Sequence, residues 1–287
     1  MTKGKLERRH VAEAFVKGLM YLSIALVAGS LALILLTVLT RGFPALSWEM
    51  VSKPPQGGYY MGKGGGVLNA IIGSLYLAAG GTLTALVLGF PIALYLETYL
   101  GDSPWGRYVR LSLDVLWGIP SIVYGAFGFT LMLAIGLRAS LLAGIIVLAL
   151  LELPIMVRAM DEVIRRMPVD LEQAALALGS TKLEVAVRVV TRQMLPGIIT
   201  AILLGFGRGI GDAASVLFTA GYTDRITTSL LRPTASLPLA VFFQLASPFP
   251  EVQKRGYASA LILTIIVLVI SLGSRWISGR LSKYTVK

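Results

Sequence analysis

The chain has 287 residues, 55% of them hydrophobic and 14% charged, and no cysteine. With a mean hydropathy of +0.76 and its charges gathered between long apolar runs, this composition excludes a soluble domain of ordinary size and describes an integral membrane protein. The formal charge of +11 does not indicate nucleic acid, because the basic residues lie in short segments rather than on one patch or stripe. Disulfides and thiolate metal sites are excluded as well, and the single histidine, His10, falls in a polar tail. After this tail, residues 1–13, comes an apolar run over 14–40 (Ala14 to Thr40) that is too long for a signal-peptide core and lacks a small-residue cleavage pattern, so it is read as a retained span. Residues 41–67 form an external loop. They include Gly57-Gly58-Tyr59-Tyr60-Met61-Gly62-Lys63-Gly64, which nearly matches a phosphate-binding P-loop. The residue that would hold magnesium there is Gly64, and no buried strand precedes the run, so a nucleotide site is excluded.

Residues 68–287 carry five further spans, at Leu68–Leu96, Arg110–Gly136, Leu141–Met160, Pro196–Ala220 and Tyr257–Ile277. Each is long enough to cross a hydrocarbon core of roughly 30 Å, and in lipid each must be a helix. The fold class expected is therefore all-α, with six transmembrane helices. Seventeen Lys and Arg fall in segments on the side of the N-terminus and eight on the other, which orients both termini toward the cytoplasm of a multi-pass membrane protein. Trp48, Trp105 and Trp276 fall at span ends, as interface anchors do. Gly205/Gly209 and Gly207/Gly211 fit the spacing of close helix packing, and Pro91, Pro120 and Pro154 are expected to bend or loosen their spans. Leu237–Leu245 is a short apolar segment suited to a helix at the outer surface. No internal repeat is visible, whereas a secondary transporter usually has two related halves.

The polar interruption 168–190 holds two helix starts. Asp170 with Gln173 fits a capping box, Gly179 ends the first helix, and Thr181 with Glu184 repeats the box. Leu171, Ala174, Ala175 and Leu178 fall on one small apolar face. That face suits docking by another protein, and it equally suits a solvated hairpin that only joins two spans.

Arg208 is expected deep in the fifth span, where an arginine costs roughly 2.5–3.5 kcal/mol on insertion scales. Asp212, four residues on, falls on the same helical face as a natural counter-ion. The pair reads either as a lock that holds the bundle or as a pore-facing guanidinium for a passing anion. Arginine suits an oxyanion because its planar fork engages two oxygens, and the neighbouring glycines keep the helix wall low. Ser121 and Tyr124, beside the Pro120 bend, are candidate hydroxyl donors to such an anion. Asp114 and Glu152 are placed near the interface or facing a partner subunit.

Gln173-Ala174-Ala175-Leu176-Ala177-Leu178-Gly179, followed by Leu195-Pro196-Gly197, resembles the cytoplasmic "EAA" loop of ABC-transporter permeases. Gln173 stands where the family has its glutamate, with Glu172 one place earlier. Gly207-Arg208-Gly209-Ile210-Gly211-Asp212, running on to Leu217-Phe218-Thr219-Ala220, is similar to the Arg-Ala-Ile-Gly-Glu…Leu-Phe-Thr-Ala motif of phosphate ABC permeases of the PstA type, with Asp212 in place of glutamate. Gly118-Ile119-Pro120-Ser121-Ile122-Val123-Tyr124-Gly125 resembles that family's third-span motif, and Asn69–Glu97 its second span. The resemblance covers about Gly65 to the C-terminus. It implies the MetI-like permease fold and a chain without catalytic activity or cofactor in a prokaryotic inner membrane. It also implies a sister permease, ATP-binding cassette ATPase subunits and an external phosphate-binding protein as partners. Asp170, Glu172, Gln173, Ala174, Ala175 and Gly179 would contact the ATPase, and inorganic phosphate would pass Arg208. Permeases for molybdate, sulfate or phosphonate remain alternatives, as does an ion-driven secondary transporter.

Overall fold

The computed structural model describes residues 3–59 and 64–281. Tyr60–Lys63 of the glycine-rich run lie outside the described residues, as do residues 1–2 and 282–287. Among the described residues every regular element is helical, apart from one isolated bridge between Pro55 and Gly65.

Helix α1 (Lys3–Gly42) carries the first span, and its apolar length is exposed throughout. Its end leans on the last helix, α11 (Pro250–Leu281), where Gly42 abuts the Tyr257 backbone and Arg41 donates to the Tyr257 hydroxyl at 3.2 Å. The outer loop is folded rather than trailing. It contains α2 (Trp48–Ser52), and Met50, Tyr59 and Val67 are buried against Leu237, Ala240, Ala258 and Ile262. Tyr59 lies under the Arg255 guanidinium, 4.6 Å from ring centre to carbon, and its hydroxyl accepts from Gln244 at 3.3 Å. Burial pushes the Tyr59 phenol up, and the nearby Arg255 opposes that shift.

The centre of the bundle is the seam between α3 (Leu68–Tyr95, continued by a π-helical turn Leu96–Leu100) and α6 (Leu141–Ile164). Gly80, Gly81 and Gly89 of α3 face Ile145, Leu148 and Val157 of α6 so closely that any side chain on the glycines would displace them. Small residues thus permit the close backbone approach that helices in lipid rely on. Both helices continue unbroken past Pro91 and Pro154.

Among the described residues five helices are long and apolar enough to cross a membrane, or six when the bent pair α4 (Pro104–Gly118) and α5 (Ser121–Ala134) counts as one span. The expected third span is therefore a broken one, bent by 96°. Pro120 supplies no N–H and forces Ile119 into an extended conformation, φ −71° and ψ 130°, which stops α4 as a residue before proline should.

The expected fifth span requires correction. Helix α9 (Thr191–Ile210) continues from the polar segment 168–190 through a π-helical turn and stops at Ile210, so Gly211–Ala220 is not helical. Glycine and aspartate provide the reason. Gly209 and Gly211 weaken the helix, and the Asp212 carboxylate takes the Ser215 N–H at 2.8 Å in a local turn that competes with helical bonding. Beyond it, the chain returns to the start of α6, where Ser140, Leu141 and Leu142 donate to the carbonyls of Thr219, Arg232 and Leu230. Helix α10 spans Leu237–Leu245, the short segment expected at the surface, and Ser236 caps it by accepting the Leu239 N–H.

Candidate functional site

The segment between α6 and α9 forms a short helix pair. Helix α7 (Val169–Ala177) begins after Pro168, which caps it without a side-chain bond, so Asp170 lies inside the first turn and is not the cap. The proline's fixed φ already suits a helix start, and the carboxylates of Asp170 and Glu172 complement the positive helix end. Gly179 terminates α7 as expected, at φ +87°. Ser180 N–H donates to the Ala175 carbonyl at 3.2 Å and Gly179 N–H to Leu176 at 2.9 Å, the paired bonds of a Schellman ending. Thr181 and Glu184 form the second capping box at the start of α8 (Lys182–Glu184).

One face of this pair packs inward and another is bare. Ala175, Val185, Val189 and Val190 join the apolar cluster that includes Leu96, Leu113, Met160 and Ile164. Gln173 and Ala174 are exposed, Leu178 is 88% exposed and Leu183 60%. The apolar residues assigned to a single face thus divide, with Leu171 and Ala175 half-buried and Ala174 and Leu178 uncovered.

The break in α9 is the second part of the site. Gly209 and Gly205 press against the carboxyl-bearing side of Glu152, in the middle of α6. Arg208 consequently sits level with the middle of α6, in the last turn of a helix that ends there. It is exposed, and Gly207 beside it faces open space. No ion pair joins Arg208 to Asp212 among the described residues, because the helix that would align them stops between the two. Asp212 is 9% exposed and bonds Ser215 instead. The negative end of α9 favours the Arg208 cation without an acid partner. Non-helical backbone at membrane depth is tolerated where protein buries it or a cavity wets it, and discontinuous helices at the midplane are where transporters commonly build substrate sites.

Ser121 is the first residue of α5, half-buried. Tyr124 is buried, and its hydroxyl donates to the Leu116 carbonyl at 2.9 Å. Its one proton therefore ties α5 back to α4 across the bend. Gly125 next to it packs on the backbone of Ala214 and Ser215, so the bend touches the segment beyond Arg208.

Glu152 does not face a partner subunit. It is fully buried within this chain, accepting from the Thr82 hydroxyl at 2.7 Å, and its other oxygen has no hydrogen-bond partner. Asp114 pairs with Arg158 of α6 at 2.6 Å. Sequence reasoning missed the assembly around it. Asp161 of α6, fully buried, receives both Arg110 of α4 and Arg158, and Arg110 also reaches Glu97 at 2.9 Å. The only sequence signal was the spacing of Arg158 and Asp161, three apart on one helix face; the partners on α3 and α4 arrive through the fold.

Comparisons with known proteins agree with this architecture. The chain is 34% identical over 264 residues to the phosphate transport system permease protein PstA of Haemophilus influenzae, covering 90% of each. It is 38% identical over 215 residues to PstA 1 of Mycobacterium tuberculosis, covering 74% of this chain and 70% of that protein. Its fold matches a chain of the inward-facing MetNI methionine ABC transporter with TM-score 0.62 at 16% identity, over 75% of this chain and 95% of that one. It also matches a chain of a bacterial alginate ABC transporter with TM-score 0.60 at 12% identity, over 98% and 100%. Residues 85–285 match the family described as binding-protein-dependent transport system inner membrane component, a stretch that includes the bend, the α7–α8 segment and the α9 break. The chain belongs to that family and, within it, to the phosphate transport system permeases.

Proposed function

We propose that the chain is the membrane-spanning permease subunit of an ATP-driven importer of inorganic phosphate, forming half of the translocation pore. The observation that carries this reading is the α9 break: an exposed Arg208 at mid-depth, without an acid partner among the described residues, beside the open wall at Gly207. A guanidinium so placed offers two parallel donors to an oxyanion. The bare apolar length of α1 supports burial of this subunit against lipid and a sister permease. The exposed Gln173 and Ala174 of α7, with Leu178 just after it, support docking of an ATPase subunit on the cytoplasmic side, with Asp170 and Glu172 at the helix start. Hydrolysis takes place on that partner, and this chain contributes no catalytic group.

The mechanism is alternating access. Closure of the ATPase dimer pulls the α7–α8 segment as a rigid element, the bundle opens outward, and an external binding protein releases phosphate toward Arg208. Hydrolysis then resets the bundle.

The test is ATP-dependent uptake of labelled phosphate into vesicles carrying this chain with its sister permease, ATPase and binding protein. Uptake that excess sulfate and molybdate leave intact is expected, and uptake of another oxyanion instead would retire the phosphate assignment while keeping the architecture. Arg208→Gln is expected to abolish uptake in a complex that still assembles, and full activity in that variant would remove Arg208 from the path.

A further inference from the structure

The inner ends of α3, α4 and α6 are joined by charges that the transport reading leaves unused. Arg110 of α4 is 7% exposed and grips Asp161 of α6 side-on, with Nε 2.9 Å from Oδ2 and Nη2 3.0 Å from Oδ1. Its remaining donors go to Glu97 and to the Gly101 carbonyl at the end of α3. Arg158 repeats the link one turn away, bonding Asp161 at 2.8 Å and Asp114 of α4 at 2.6 Å. Arg165, just past α6, pairs with Glu97 and Asp102. Gly106 makes room for this, since a side chain there would meet the Gly101 carbonyl and the Arg110 guanidinium.

Buried ion pairs are not in general the most stable way to hold helices together, because apolar residues of similar volume often hold them as well. Their distinguishing property is geometric. A bidentate guanidinium fixes direction and register, so α4 cannot slide on α6 without breaking several bonds together. Asp161 lies in the last turn of α6, directly before the α7–α8 segment. At the other end of α4, the Tyr124 hydroxyl braces the bend and Gly125 rests on Ala214 and Ser215, beside the Arg208 end of α9. An apolar hollow of about 370 Å³ lies in the crook of the bend, between Leu116, Ile119 and Phe127 and the facing Leu150, Leu153 and Pro154 of α6. This space leaves the bend free to close.

We propose that the Arg110–Asp161 lattice is the joint that carries motion from the α7–α8 segment into α4, and that the bent pair α4–α5 delivers it as a lever to the Ala214–Ser215 backbone beside Arg208. Arg110 and Asp161 are positioning residues, distant from both ATP and anion. The proposal rests on the ATP-driven reading above and names the route by which that drive reaches the pore.

The test uses the complete reconstituted importer and reads phosphate moved per ATP hydrolysed on one preparation. In Arg110→Gln the complex is expected to hydrolyse ATP while this ratio falls about tenfold, the scale of a coupling energy in this range, with Arg110→Lys intermediate. Should Arg110→Gln fail to assemble, the outer rung decides. Asp114 is 46% exposed, so Asp114→Asn spares the core, and it is expected to lower the same ratio. An assembled Arg110→Gln complex with the wild-type ratio overturns the proposal, as does an unchanged ratio in Asp114→Asn where Arg110→Gln does not assemble. Absence of ATP-dependent uptake in the wild-type complex would count against the importer reading instead, so the two failures are distinguishable.

Discussion

At the residue scale, the two interleaved glycine pairs of α9 have different work. Gly205 and Gly209 form the seat of Glu152 and Met156, whereas Gly207 faces open space. Gly209→Ala would drive a methyl into the Glu152 carboxyl, and overpacking of this kind destabilises by about 1–3 kcal/mol. Gly207→Ala meets nothing and is expected to stabilise the helix by about 0.5–1 kcal/mol. Thermal unfolding in detergent should therefore move in opposite directions for two substitutions two residues apart. Tyr124→Phe is expected to lose one hydrogen bond across the bend, about 0.5–1.5 kcal/mol, and to lower stability in the absence of phosphate. A variant of unchanged stability with impaired uptake would instead return the hydroxyl to the anion path. From sequence both glycine pairs were equivalent matches to one spacing, because only the position of α6 distinguishes the packed face from the open one.

At the scale of elements, the α7–α8 segment was the most legible part of the chain. Its turn and its second helix start are written in local chemistry: a glycine at positive φ ends α7, and a reciprocal Thr181–Glu184 box starts α8. Gly179→Glu would place a side chain at φ +87°, which costs about 1–2 kcal/mol in the left-handed region, and set a charge on the exposed face. ATP hydrolysis is expected to continue while uptake is lost; normal coupling in that variant would argue against docking at this face. The start of α7 was less legible. Asp170 and Gln173 have capping-box spacing, yet Pro168 takes the cap, since a fixed φ suffices where a helix follows directly. Span ends were harder still, because a hydropathy window sees Gly211–Ala220 as apolar and cannot see that its backbone has left the helix.

For the whole molecule, the absence of cysteine makes topology directly measurable. Leu178→Cys, at a site 88% exposed, should react with a membrane-impermeant thiol reagent only from the cytoplasmic side, and Leu231→Cys, at a site 64% exposed, only from outside. The reverse pattern would invert the orientation and remove α7 from the reach of an ATPase. The exposed apolar length of α1 and the uncovered Leu178 after α7 are surfaces that this chain does not cover itself, consistent with a family described as a membrane component of binding-protein-dependent transport systems.

Local and compositional properties were settled by the sequence itself. The all-helical class follows from apolar length in lipid, the bend at Pro120 from a missing N–H, and the family from motifs in three separate stretches. Long-range pairings were decided only by the tertiary structure. Arg208 was expected to hold Asp212 and does not, while Asp161, unremarked in sequence, holds Arg110 and Arg158. The physical reason is that hydropathy, capping and proline act within one or two turns of chain. The partner of a buried charge depends instead on which helices the glycine seams allow to meet.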